Sequence, residues 1–313
     1  MQRGPSSPFP TQPSRRAWLR AVLSGALAGH WAAWGASKDL RVLTAPDAAP
    51  LRPLLQALKL RFPGALVDAD LSALDTRRGG IPLLTLGPQA MRAAMAADVH
   101  GPLVCALTSS QAYRRQLQAA GRDAGSSTAI YAEASPLAQM QLIAALFERR
   151  VNVGILLSEA SAYLERPLRQ AAQSAGLDVQ MMLTSAGQDP VRAINGLSSI
   201  HVLLAVPDGS LYTPDALRAV LESTYRRGLP VIGFSAATVT AGTLACAHAD
   251  LDDVAADLIE LIDGLPSAGS PMPEARYPRY WRVSINDNVA RSLGLPVSDR
   301  VRALGARPAG RAA

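Results

Sequence analysis

The sequence predicts an α/β protein built from two doubly wound, parallel-sheet lobes, and three observations carry that prediction. Short β-rich runs alternate with helical stretches along most of the 313 residues. Several of the runs are continuously apolar rather than alternating, as strands covered on both faces are. The residues just after them are small or hydroxylated, which suits strand-to-helix turns.

The first block of strands reads as 39–45 (DLRVLTA), 65–70 (ALVDAD), 81–87 (IPLLTLG), 102–108 (PLVCALT) and 127–133 (STAIYAE). The second block continues with 152–158, 178–184, 199–208 and 229–235. Helical patterns lie between them. Residues 50–62 carry Leu51, Leu54, Leu55 and Leu58 on one face. Residues 135–150 open on Ser135 and Pro136, a cap followed by a first-turn proline. Residues 163–177 stop at Gly176, and 213–230 runs from a Thr-Pro cap to a glycine stop. Residues 250–264 place three acids in the first turn, where the helix dipole favours them. On this pattern Asp252 and Asp253 read as solvated capping acids. The blocks 38–131 and 137–232 form the two lobes, and the Ala/Gly/Arg-rich tail 301–313 reads as disordered.

The N-terminus is of a different kind. No acid precedes Asp39, and Arg15-Arg16 stands before an apolar run, 21–36, that is interrupted by His30 and two glycines. That run is shorter than the about 20 residues a spanning helix needs. A cationic start, a short apolar stretch and a small-residue exit at Ala33–Ala36 make a secretory signal over 1–36. The segment Ser14-Arg15-Arg16-Ala17-Trp18-Leu19-Arg20 is similar to the twin-arginine export motif, so the working compartment is expected to be the periplasm. Four of the arginines behind the formal charge of +6 (Arg3, Arg15, Arg16, Arg20) lie within 1–36, and without them the charge is +2. No basic stripe interleaved with aromatics is present, which argues against a nucleic-acid partner. Cys105 and Cys246 sit inside apolar runs and read as small buried hydrophobes. No histidine stands near a cysteine or carboxylate cluster, so neither metal nor cofactor is expected.

In an open α/β sheet, ligands bind beyond the carboxyl ends of the strands. The strand-end residues here include Ser109 and Ser110, Ser158 and Ser161, Asp208 and Ser210, and Ser235 and Thr238. Hydroxyls and backbone N–H groups at helix starts can receive an anion, or can simply cap the helix. No convergent base, nucleophile and oxyanion donor is found. VIGFSAA has Ala237 where a nucleophile elbow needs its second glycine, and no phosphate-binding glycine loop follows a strand. This points to binding rather than turnover.

The stretch 199–264, with LPVIGFSAATVTAGTL inside it, resembles the substrate-binding family of ABC transporters. So do 281–297 (WRVSINDNVARSLGLPV) and the hinge-like 129–161. The chain departs from that pattern at Ala45-Pro46-Asp47, where many members carry a His-Pro dipeptide. The resemblance implies a type I periplasmic-binding-protein-like architecture whose lobes are joined by three crossovers. These are expected near 131–135, 233–238 and 275–281. The first lobe would then be 37–131 plus 238–274, and the second 137–232 plus 282–300. It further implies an interlobe cleft for a small, amino-acid-like ligand, a monomer, and an inner-membrane ABC permease as partner. Tyr131, Tyr212, Phe234 and Trp281 are the aromatic candidates for stacking on a ring. The alternative is a degenerate pair of binding lobes acting as a sensor or adaptor for a membrane partner, without transport.

Overall fold

A computed structural model describes residues 39–74, 80–97, 99, 101–121, 124–185, 187–266 and 270–309. The segment 1–36, with its twin arginine, lies outside the described residues.

The first sheet is formed by β1 (Arg41–Leu43), β2 (Leu66–Asp68), β3 (Leu83–Leu86), β4 (Leu103–Thr108) and β5 (Ser127–Tyr131). Its order is β2-β1-β3-β4-β5, with every pairing parallel. Alternate residues of these strands go to opposite faces, as the two-residue period requires. Val42, Leu84, Val104 and Ile130 pack with Leu54 and Leu58 of α1 (Arg52–Arg61). Leu43, Leu83, Cys105 and Ala129 pack with Met91 and Met95 of α2 (Pro88–Ala96) and Tyr113 of α3 (Ser110–Ala119). Both faces are covered, which is why the strands carry continuous apolar runs.

The second sheet contains β6 (Asn152–Leu157), β7 (Asp178–Leu183), β8 (Val202–Leu204), β9 (Val231–Ile232), β10 (Ala245–His248), β11 (Trp281–Ile285) and β12 (Gly305–Ala306). Its order is β12-β11-β10-β9-β8-β6-β7. From β7 to β10 the strands are parallel and repeat the order of the first sheet; β11 and β12 add antiparallel pairs at the edge. The connecting helices are α4 (Pro136–Phe147), α5 (Glu165–Ser174), α6 (Pro190–Asn195), α7 (Pro214–Arg226) and α8 (Ala236–Ala241). The predicted class, two doubly wound lobes, is the one observed.

Two boundaries differ from expectation. β10 pairs with β9 through Ala245 and Ile232, so 238–248 stays in the second lobe. The return to the first lobe comes only with α9 (Leu251–Asp263), whose Val254, Leu258 and Ile262 join the cluster around Val42 and Leu84. The crossover therefore lies at 249–250 and not at 233–238. The tail is also ordered further than its composition suggests. After α10 (Asp287–Ser292), helix α11 (Asp299–Arg302) buries Val301, and β12 pairs with β11 through Ala306 and Trp281. Residues 310–313 lie outside the described residues.

Candidate functional site: the interlobe cleft

The chain passes between the lobes at 132–135, 249–250 and 278–280. Two of the crossing segments touch in an antiparallel bridge between Glu133 and His248, and the third runs beside β5 through a bridge from Ile130 to Arg276. Acids along α9 hold this region together. Asp257, fully buried, accepts from Arg276 Nη1 and Nη2 at 2.8 and 2.6 Å and from Arg279 N and Nε at 2.9 Å each. Asp253, also fully buried, accepts from Arg282 Nε and Nη2 at 2.7 Å each and caps its own helix with Asp250. Burial works to raise the Asp253 pKa, but the Arg282 hydrogen bonds and the Asp250 contact outweigh it and hold it low. Asp253 is thus an interlobe ion-pair partner rather than a solvated cap, because β11 brings Arg282 over the start of α9.

The eight strand-end candidates fall into four arrangements. Ser158, Ser161, Asp208 and Ser210 meet in one knot at the ends of β6 and β8. The Asp208 carboxylate accepts from Ser158 Oγ at 2.5 Å, Ser161 Oγ at 2.6 Å, Ser210 Oγ at 2.6 Å and Ser210 N at 2.9 Å. Burial opposes its ionisation, yet the serine donors hold its pKa down to about 2. Ser235 and Thr238 form a reciprocal capping box on α8. Gly233 is required beneath it, since a Cβ there would lie 2.0 Å from Thr238 Oγ1. Ser109 caps α3 by accepting from Ala112 N at 3.2 Å.

Ser110 behaves differently, because it reaches across the cleft. Leu107 stands at φ 56°, where the β4–β5 register shifts between Ala106 and Thr108. This bulge turns the end of β4 towards the crossover. Ser110 N donates to Glu133 Oε1 at 3.0 Å and Ser110 Oγ donates to the same oxygen. Tyr163 of the second lobe lies 2.6 Å from Ser110 Oγ, and Arg114 stacks over the Tyr163 ring with its guanidinium 4.5 Å from the centroid. A second contact joins Gly209 N to Gln111 Oε1 at 3.4 Å. Glu133 is only 5% exposed, and burial raises its pKa against the opposing pull of the Ser110 donors. Burial likewise pushes Tyr163 up to about 12.

Behind these contacts lies a cavity of about 30 Å³ bounded by Glu133, Pro136, Leu164, Leu168, Phe234 and Tyr277. That is room for about one water, and the Ser110–Tyr163 and Gly209–Gln111 contacts hold the lobes shut in this conformation. Of the aromatic candidates, Phe234 lines the cavity and Tyr212 packs against it at 6.4 Å. Tyr131 sits between Tyr113, tilted at 6.0 Å, and Tyr277, edge-on at 5.2 Å. Trp281 borders a separate surface groove with Gln141, Arg300 and Leu304. Sequence reasoning places Glu133 among the strand-end residues without assigning it a role, and does not single out Tyr163 or Tyr277. The one available signal was an acid directly after a fully apolar strand and before a capped helix.

No family model and no curated protein matches the sequence. Solved structures do match. An ABC domain from Streptococcus pneumonia in complex with L-Trp superposes with a TM-score of 0.55 at 18% identity, over 85% of this chain and 97% of that one. A ligand-free, open substrate binding protein with adhesive properties from Clostridium difficile gives a TM-score of 0.60 at 14% identity, with the same coverage. A conserved domain protein from Vibrio cholerae gives 0.53 at 17%, again over 85% and 97%. This chain has their fold. The equivalence covers 85% of this chain and so takes in both lobes. Among the described residues no group of three histidine, cysteine or acidic side chains could hold a metal, and no helix is long and apolar enough to cross a membrane. Cys105 and Cys246 lie in different sheets, on β4 and β10, and are not bridged.

Proposed function

We propose that the protein is an exported solute-binding component of an ABC-type importer, which closes its lobes over a small, amino-acid-like ligand and delivers it to an inner-membrane permease. The observation that carries this reading is the cleft itself: two sheets of matching strand order, linked by three crossovers, meet through Ser110, Glu133 and Tyr163. The fold shared with a substrate binding protein and with an L-Trp complex supports it. The protein acts as a monomer, without catalysis, and the Arg15-Arg16 segment directs it to the periplasm by the twin-arginine route. The ligand enters between the start of α3, with Ser109 and Ser110, and the loops of the Asp208 knot and of Ser235 and Thr238. Only Ser110 of these points its polar atoms across the cleft, so the others shape the loops that close.

A second reading has a specific observation in its favour. The cleft contacts are satisfied with a cavity of only about 30 Å³, as suits a sensor or adaptor that no longer carries solute. Mass spectrometry of small molecules released from the purified, denatured protein separates the two. A stoichiometric solute that rebinds and raises the melting temperature supports transport; no solute, and no response to a panel of amino acids, peptides and organic acids, supports the adaptor.

A further inference from the structure

Glu133 is a buried carboxylate without a counter-charge. Ser110 supplies a hydroxyl and a backbone donor, both favouring Oε1, and the Glu133 backbone N–H adds a third; from Ser110, Oε2 receives only the long arm of the shared N–H, at 3.3 Å. An ionised carboxylate can accept about four hydrogen bonds. The ion pairs of the hinge engage Asp253, Asp257 and Glu260, and among the described residues no basic side chain pairs with Glu133. A purely structural acceptor for Ser110 would not need a charge here, since glutamine has the same shape and keeps an acceptor oxygen.

The walls around it are apolar: Pro136, Leu164, Leu168, Phe234 and the ring of Tyr277. Gln139 also borders the cavity, but its amide is committed to Ala247, donating to the carbonyl at 2.9 Å and accepting from the N–H at 3.1 Å. Glu133 is therefore the one carboxyl bordering this cavity, and no cationic side chain lines it.

We propose that the cleft takes an organic amine, whose ammonium docks on Glu133 and whose apolar body lies against Phe234, Leu168 and the Tyr277 ring. The inference rests on the solute-binding reading and names the ligand class for that same cleft. Opening the lobes parts Tyr163 from Ser110 and Gly209 from Gln111, which widens the cavity while Glu133 stays on the crossover. An ammonium neutralises the buried charge and can also face the aromatic rings. A ligand carboxylate placed against Glu133 would meet a like charge, so a ligand that carries both groups must enter with its ammonium towards Glu133, and an acid without an amine is disfavoured.

The test is calorimetric titration and thermal shift with isopentylamine, phenethylamine and tryptamine, each beside its matched alcohol and carboxylic acid. At least one amine should bind ten-fold or more tighter than its alcohol and acid. Glu133→Gln should weaken that amine at least ten-fold, while the unliganded variant melts no lower than the parent. Glu133→Asp, which keeps the charge, should bind between the two. An alcohol or acid binding as well as its amine, or an amine binding Glu133→Gln as tightly as the parent, overturns the amine assignment and leaves the solute-binding reading standing. If no member of the panel binds, the amine assignment falls; if in addition no solute is released from the denatured protein, the solute-binding reading falls with it.

Discussion

Replacing Asp208 by alanine should unfold the protein far more readily than its position in a surface-facing loop suggests. The carboxylate is 1% exposed and receives four donors from three serines on two loops. Ser210 can turn to water, but Ser158 and Ser161 are both buried, so two hydroxyls lose their acceptor. Each orphaned buried group costs about 1–3 kcal/mol. The expected loss is therefore about 3–5 kcal/mol once the lost acceptor charge is included. For a chain of this size that is a fall in melting temperature of about 6–15 °C. Thermal denaturation followed by circular dichroism measures it, with Asp208→Asn as the milder partner. A melting temperature within about 1 °C of the parent for Asp208→Ala would refute the structural assignment of the knot. Those serines would then be available to a ligand.

Stability should also depend on pH through this residue. The folded Asp208 titrates at about 2, below an unfolded carboxyl near 3.9, so its contribution is present above about pH 4 and is lost as the pH falls towards 2. Asp208→Asn should flatten that part of a melting-temperature profile. Glu133 has the opposite sign: its raised folded pKa favours the protein below the unfolded value and is lost as the pH rises through the folded one, a decline absent in Glu133→Gln. Arg282→Ala leaves Asp253 buried without its cation and should cost about 2–4 kcal/mol in chemical denaturation; adding Asp253→Asn should recover part of it. Changing Arg15 and Arg16 together to lysine should leave the precursor in the cytoplasm, read by fractionation; normal periplasmic accumulation would show that the general secretory route suffices.

The lobes were legible because parallel strands covered on both faces must be apolar over most of their length, as β4, β6 and β8 are. Which sheet a strand joins is another matter. The apolar run around Cys246 looks like any buried strand, and only its pairing with β9 and β11 places it in the second lobe. Helix α11 and strand β12 span four and two residues, too few for any periodicity to show. Local chemistry read well: Ser109, Ser135, Thr213 and Ser235 all cap the helices they precede. Non-local chemistry did not. Asp253 has the same sequence context whether water or Arg282, 29 residues away, is its partner. Glu133 draws its meaning from Ser110, and Ser110 from Tyr163, pairs separated by 23 and 53 residues.

The central claim is that two lobes close over a ligand at the Ser110–Glu133–Tyr163 contact. Spin labels on the exposed positions Gln118 in α3 and Arg218 in α7 report it, since the two native cysteines are fully buried. Pulsed electron–electron resonance distances should be compared before and after the released solute, or the tightest-binding amine, is returned to protein stripped by unfolding and refolding. A broad distribution that collapses to the shorter distance on ligand addition is the predicted result, because a ligand touching both lobes must favour the closed population. A single distribution unchanged by a ligand that demonstrably binds would contradict it.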